Sequence, residues 1–339
     1  MTKHRWLLIV ILIAVCFCGS CENGLSSSGI SQRDAMSSGI GFISSLSLEN
    51  IIFHSETSSH TVSSDLTSKR SYSSKGDIDS VVVTVSVAPV YRAADINSEQ
   101  VTQALYNQEL KLLGKSGGFF KVKAVDGYEG YISEKAVVAG KLKTAGKKFM
   151  VSKPLAEIIK PDGSVLLTIS MGVVIYGSDM NNGKYPITTI MGEGYISAAD
   201  VIDITAGQPV GTTDDIVNTA RMFVGLSPNP SYLWGGTTAI QGFDCSGLTY
   251  IVFRKNGINL PRDSSPQSMV GAFIHLADVR AGDQVFFSTE KGGTKVTHTG
   301  IYIGNDEFVH SSVSNKGIGI NCLSEPYFAE RLVCIRRQI

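Results

Sequence analysis

A net excess of positive or negative groups is missing from this chain: 30 lysines and arginines stand against 30 aspartates and glutamates, and no long basic run occurs. A surface that neutralises phosphates needs a clustered positive excess, so nucleic acid is not an expected partner. Cysteine is scarce once the first stretch is set aside. Of six cysteines, Cys16, Cys18 and Cys21 lie near the N-terminus, leaving Cys245, Cys322 and Cys334 for the body of the protein. No Cys-x-x-Cys pair occurs among these three, so no metal site is expected. Cys322 and Cys334 stand in apolar, strand-like surroundings that suit small core residues, with a disulfide as the alternative that an exported location would permit. Histidine is equally sparse. His4, His54 and His60 fall in the N-terminal stretch, so only His275, His298 and His310 remain in the body to handle protons. Long apolar runs are absent too: the segment from Trp6 to Phe17 is too short to cross a bilayer comfortably.

What the N-terminus does contain is a basic start, Lys3-His4-Arg5, then that short apolar run, then Cys18-Gly19-Ser20-Cys21. This is the build of a secretory signal over residues 1–21. The small residues before Cys21 resemble a bacterial lipobox, with Cys18 where the pattern usually has leucine. The resemblance implies acylation of Cys21 after cleavage, and an exported, membrane-anchored lipoprotein facing the periplasm or the cell surface. Residues 22–77 are crowded with serine and bury too little apolar surface to offset their ordering entropy, so they are expected to act as a tether.

Next comes an internal repeat. Gly127-Tyr128-Glu129-Gly130-Tyr131-Ile132-Ser133 returns about 65 residues later as Gly192-Glu193-Gly194-Tyr195-Ile196-Ser197. Each copy closes a series of short alternating runs broken by Gly, Asn and Asp, the mark of small β-barrels. The Gly-Tyr-Ile-Ser endings resemble bacterial SH3 domains, which places two small all-β SH3-like barrels at 78–140 and 146–204. A Gly-, Pro- and Thr-containing stretch, 205–214, reads as a linker, followed by helical apolar spacing over Ile216 to Val224.

The remaining segment, 212–339, carries the chemistry. Gly242-Phe243-Asp244-Cys245-Ser246-Gly247 opens an apolar-periodic stretch (Leu248, Ile251, Val252, Phe253) that predicts a helix to about Asn256. A cysteine attacks as its thiolate, and a helix N-terminus favours that form with free N–H donors and partial positive charge. His298 opens a strand-like run, Thr299–Ile303, and His310 ends the next, so a hairpin would set the two rings side by side. Further strands are expected at Gln284–Ser288 and near Arg331–Arg336, giving an α+β arrangement of a nucleophile helix on an antiparallel sheet. Cysteine, a base and a group orienting that base form the minimum for nucleophilic acyl transfer.

These words, with Tyr232-Leu233-Trp234-Gly235-Gly236, Leu260-Pro261-Arg262-Asp263-Ser264-Ser265 and Arg280-Ala281-Gly282-Asp283, resemble the NlpC/P60 family of cell-wall cysteine peptidases. The resemblance implies a papain-like α+β fold, Cys245 as nucleophile, His298 as base and His310 as the orienting third member. It also implies hydrolysis of peptidoglycan peptides with no metal or organic cofactor. Tyr232 matches a family tyrosine near the nucleophile and is expected to donate to an oxyanion or touch substrate. Ser246, beside Gly247, leaves room for substrate to approach.

Two SH3-like domains ahead of one peptidase domain resemble the γ-D-glutamyl-L-diamino acid endopeptidases of the dipeptidyl-peptidase VI type. That resemblance implies that the first barrel walls the active site and selects stem peptides with a free N-terminal L-alanine. Glu99 and Tyr128 occupy the matching places for this selection, with Tyr131 a rival tied to the repeat. Asp244 and Ser264 match residues that hold the peptide's amine and backbone, although Asp244 equally suits the N-cap of the helix. Arg262-Asp263 reads as a structural turn with its own ion pair. The alternatives to a recycling endopeptidase are a hydrolase cutting intact wall during remodelling and a catalytically idle wall-binding lipoprotein.

Overall fold

The computed structural model describes residues 79–339; the signal segment, Cys21 and the tether lie outside the described residues. The first strands are β1 (Ser80–Val83), β2 (Val87–Tyr91), β3 (Gln100–Leu105), β4 (Glu109–Ser116), β5 (Phe119–Lys123), β6 (Glu129–Ser133) and β7 (Val137–Ala139). They form one antiparallel sheet in the order β3-β2-β6-β5-β4-β1-β7. Val81, Val90, Val101, Leu110, Val122 and Ile132, one from each of β1 to β6, meet in a single apolar cluster. A lone sheet whose strands share one core must curl around it.

The second sheet repeats the first strand for strand. β8 (Lys147–Val151), β9 (Leu155–Ile159), β10 (Val165–Ser170), β11 (Val174–Gly177), β12 (Lys184–Thr189), β13 (Gly192–Ser197) and β14 (Val201–Asp203) take the order β10-β9-β13-β12-β11-β8-β14. The sequence repeat has a local cause. Ile132 and Ile196 are fully buried, and the following Ser133 and Ser197 each cap a short 3-10 turn with the side-chain oxygen.

Helix α1 (Thr213–Arg221) begins inside the stretch read as linker, because Thr212 and Asp215 cap each other's backbone N–H groups reciprocally. After a two-stranded ribbon of β15 (Thr237–Thr238) and β16 (Gly242–Phe243) comes α2 (Cys245–Lys255), buried without interruption from Cys245 to Phe253. A helix apolar on nearly every side belongs at the centre of a domain, and α2 packs against both α1 and the C-terminal sheet. That sheet is antiparallel and six-stranded: β17 (Ala272–Ile274), β22 (Leu332–Arg337), β18 (Gln284–Phe287), β19 (His298–Gly304), β20 (Glu307–Ser312) and β21 (Gly317–Cys322), in that spatial order. β17 and β21 are not placed as strands by the sequence; the surroundings of Cys322 are strand-like, but the glycines of β21, Gly-Ile-Gly-Ile-Asn-Cys, hide the element itself. Short helices α3 (Ser264–Gln267) and α4 (Pro326–Ala329) close the loops before β17 and β22. Among the described residues no helix is long and apolar enough to cross a membrane.

The two sheets attach differently. The second shares one continuous core with the C-terminal region: Phe149, Ile158 and Ile175 belong to the same cluster as Ile251, Phe253 and Ile301. The first keeps its own cluster, gives Leu105 and Tyr106 to that shared core, and adds polar contacts to the rest. The buried side chain of Gln103 accepts the Thr237 N–H at 2.7 Å and donates to Gln241 at 2.7 Å. Gln100 donates to the Trp234 carbonyl at 2.9 Å. Replacing Gln103 by leucine leaves a buried N–H without a partner, and the expected loss is about 1–3 kcal/mol. Urea denaturation of Gln103→Leu beside the wild type measures it; equal stability would mean the contact contributes nothing.

Candidate active site

The turn before α2 is built around one carboxylate. Asp244 is the N-cap: its Oδ1 accepts the Gly247 N–H at 2.6 Å and its Oδ2 the Gly235 N–H at 2.9 Å. Arg262 grips the same carboxylate in a two-pronged pair, Nη2 to Oδ2 at 2.7 Å and Nη1 to Oδ1 at 3.0 Å, with both side chains buried. Ser246 Oγ adds a bond to Oδ1 at 3.2 Å and takes one from Arg262 at 3.0 Å. One expectation changes here: Arg262 pairs with Asp244, not with its neighbour Asp263. Asp244 caps and positions the helix start and also lines the cavity, where the expected contact with a substrate amine would be made. The Ser246 hydroxyl turns toward Asp244 and Arg262, so what Ser246 offers the cavity is its small size and backbone.

This cap fixes Cys245 at the first helical position, 6% exposed. Its sulfur receives the backbone N–H groups of Ser246 and Thr299, which favour the thiolate. Burial works the other way and wins, with the Asp244 charge adding to it, so the thiol is pushed up to about 12. The helix-end effect expected from the sequence is present but outweighed. A neutral thiol can act as a nucleophile only with a base beside it.

A candidate base lies one residue from the N–H touching the sulfur. His298 begins β19 and is buried, with Nδ1 lacking any hydrogen-bond partner and Nε2 lying 2.7 Å from His310 Nδ1. The rings meet diagonally across β19 and β20. Gly300 makes this possible, because a Cβ there would lie 2.7 Å from the Phe308 ring and 3.2 Å from the His310 Cβ. Burial lowers both histidines well below the ordinary value, with the charge of His310 adding to the effect on His298. His310 falls to about 4, although its bond to Asn321 opposes the shift. Both rings are therefore neutral, and a neutral imidazole can accept a proton.

A cavity of about 570 Å³ opens over Cys245. Tyr232, Asp244, Ser246 and Ser264 line its C-terminal-domain wall, and Glu99 and Tyr128 its opposite wall, contributed by the first sheet. Tyr232 stays protonated: burial, then the nearby Cys245 and Asp244 charges, raise its phenol. Tyr131, by contrast, faces Lys121 and Tyr91 within the sheet. His310 lies behind the cavity, and His275 only stacks on Phe273.

Three residues given no binding role in the sequence reading stand in this wall. Asp263 Oδ2 accepts the Tyr128 hydroxyl at 2.5 Å, across 135 positions of sequence. Arg92 Nε bonds Glu99 Oε2 at 2.5 Å, and the Trp234 indole N–H bonds Glu99 Oε1 at 3.0 Å. The Arg92 bond foremost holds the Glu99 carboxyl below its usual range. Trp234 was legible as part of a motif, and Asp263 as the neighbour of an arginine. Arg92 carried no signal. Among the described residues no cluster of three His, Cys, Asp or Glu side chains is placed to hold a metal ion.

The histidine pair has a consequence for stability. The unfolded rings titrate near 6.5 and the folded ones lower, so the unfolded chain binds more protons as pH falls from 6.5 towards 4. The contribution is fully present above pH 6.5 and lost through that window. In His310→Gln, the slope of unfolding free energy against pH should fall by up to about 1.4 kcal/mol per pH unit. Urea unfolding between pH 7 and 5 tests this, and an unchanged slope would count against a buried neutral His310.

With the geometry in hand, comparison with known proteins places the chain. The profile of the NlpC/P60 family matches residues 229–337, and that of the bacterial dipeptidyl-peptidase Sh3 domain matches residues 90–137. Gamma-D-glutamyl-L-lysine dipeptidyl-peptidase of Bacillus subtilis (strain 168) is 31% identical over 244 residues, 70% of this chain and 80% of that protein. The protein of the same name from Bacillus cereus (strain ATCC 10987 / NRS 248) is 31% identical, covering 70% and 75%. The crystal structure of an NlpC/P60 family protein from Bacillus cereus ATCC 10987 superposes with a TM-score of 0.68 at 25% identity, covering 76% of this chain and 99% of that one. A cysteine at the start of a central helix, a histidine pair on the facing sheet and a β domain walling the cleft are thus features of a chain that belongs to the NlpC/P60 family.

Proposed function

We propose that this protein is an exported cysteine endopeptidase that hydrolyses the bond between γ-D-glutamate and the diamino acid in peptidoglycan stem peptides with a free N-terminal L-alanine. The observation that carries the reading is the two-sided cavity. Cys245 lies on one wall, while Glu99 and the Tyr128–Asp263 pair gather acceptor oxygens on the first sheet and at its border. A peptide ammonium among these oxygens gains charge-assisted hydrogen bonds, whereas an acylated nitrogen brings no charge and added bulk. The names of the two Bacillus relatives support the same bond class.

In this reading Cys245 Sγ attacks the γ-carbonyl of D-glutamate as its proton passes to Nδ1 of His298. The oxyanion is received by the Cys245 N–H, a free donor position at the first turn of α2, and by the Tyr232 hydroxyl. The C–N bond breaks and His298 returns the proton to the diamino acid's amine. The diamino-acid peptide departs; water, deprotonated by His298, then attacks the thioester, the C–S bond breaks, and the sulfur regains its proton from His298 as L-Ala-γ-D-Glu leaves. Ser264 lines the cavity, where it would meet the peptide backbone. Both seven-stranded sheets are taken as SH3-like domains, the first lining the site and the second acting as the base that shares the catalytic core. Export by residues 1–21 and acylation of Cys21 complete the proposal, which sets the enzyme at a membrane surface to recycle wall peptides.

The test is to offer L-Ala-γ-D-Glu-diaminopimelate and its N-acetylated form to the purified protein. Release of diaminopimelate from the free peptide only, abolished in Cys245→Ala, is the expected result. Glu99→Gln should lower kcat/KM for the free peptide at least about tenfold, the effect of one charge-assisted bond. Equal cleavage of both peptides would remove the amine gate and favour a wall-remodelling enzyme.

A further inference from the structure

The hydrogen-bond chain behind His298 does not end at His310. His310 is paired with Gly319 of β21 in strand register and also abuts Gly300 of β19, so a glycine flanks it on each side. Residues two positions along those strands, His298 and Asn321, therefore reach the ring diagonally. His298 Nε2 lies 2.7 Å from His310 Nδ1, and Asn321 Oδ1 lies 2.8 Å from His310 Nε2. Asn321 Nδ2 in turn lies 3.0 and 2.9 Å from the two carboxylate oxygens of Glu325, one of which also accepts the Cys322 N–H at 2.8 Å.

The chemistry of these groups gives the chain a direction. A carboxylate only accepts, so the amide of Asn321 must turn its NH2 to Glu325 and its oxygen to His310. That oxygen requires a proton on His310 Nε2. His310 Nδ1 is then bare and accepts the Nε2 proton of His298, which leaves the lone pair of His298 Nδ1 free. A competitor stands close by: Asn315 Nδ2 is 3.0 Å from His310 Nε2 and 3.1 Å from Asn321 Oδ1. Were it to donate to Nε2, His310 would carry its proton on Nδ1, and His298 would be driven to hold its own on Nδ1, where the base must be empty.

We propose that Asn321, locked by Glu325, is a positioning residue that sets the tautomers of both histidines against the pull of Asn315. It thereby keeps His298 Nδ1 ready to accept the Cys245 proton. This rests on Cys245 and His298 being nucleophile and base, but the proton arrangement is measurable without turnover. In full-length protein labelled with 15N-histidine, long-range 1H–15N spectra, assigned with His310→Gln, should show His310 protonated at Nε2 and bare at Nδ1. A proton on Nδ1 overturns the proposal whether or not the protein cleaves the peptide, and needs no variant of Asn321 to fold. In Asn321→Leu that proton should move to Nδ1, with kcat lowered on the order of 100-fold and KM changed less than about twofold. Adding Asn315→Leu removes the competing donor and should restore at least about tenfold of the lost kcat. A merely structural asparagine would make the double variant worse than the single one, and that outcome, or wild-type kcat in Asn321→Leu, overturns the proposal.

Discussion

The site depends first on the buried carboxylate of Asp244. It gathers the Gly235 N–H from the loop after Trp234, the Gly247 N–H from α2 and the guanidinium of Arg262 from the loop before α3. Three chain segments are tied at one point, and Cys245 is the next residue. A buried pair of this kind adds little net stability, but breaking it by removing one partner costs about 3–5 kcal/mol. That is a large share of the roughly 5–15 kcal/mol by which a domain is stable. The same geometry that holds the helix end therefore cannot be relaxed without endangering the fold, and Cys245 inherits that rigidity.

Around this point apolar packing and polar contacts divide unequally. The second sheet, α2 and the C-terminal sheet share one core, so the thiol and histidines sit on a continuous packed body. The first sheet holds its own cluster, adds only Leu105 and Tyr106 to that core, and meets the cavity's other wall through side-chain hydrogen bonds such as those of Gln103, Gln100 and Glu99. Packing fixes positions tightly, while polar seams exchange more readily with water and with a ligand's own groups. A recognition wall attached by the second kind of contact can present oxygens to a substrate without disturbing the first.

Much of the site was legible in the sequence where local rules sufficed. An Asp-Cys-Ser-Gly start to an apolar-periodic stretch located Cys245 at a helix end, and two short alternating runs placed His298 and His310 on one hairpin. What escaped depended on contacts between distant segments. Tyr128 and Asp263 meet across 135 positions, and nothing near Asp263 distinguishes a cavity wall from a turn. β21 escaped because its glycines, needed beside His310, suppress the alternation that marks a strand, and Asn321 went with it. The thiol was misjudged for a different reason: its helix-end donors are local and visible, whereas the burial that outweighs them belongs to the assembled fold.

The proposed selectivity turns on how a peptide lies in the cavity, ammonium toward the first sheet and γ-carbonyl at the thiol. The most direct measurement is a crystal structure of the Cys245→Ser variant holding the product L-Ala-γ-D-Glu. The alanine ammonium is expected within hydrogen-bond distance of Glu99 or Asp263. The γ-carboxylate is expected at the hydroxyl that replaces the thiol, beside the Tyr232 hydroxyl. A dipeptide bound the other way round, or with its ammonium in solvent, would contradict that selectivity.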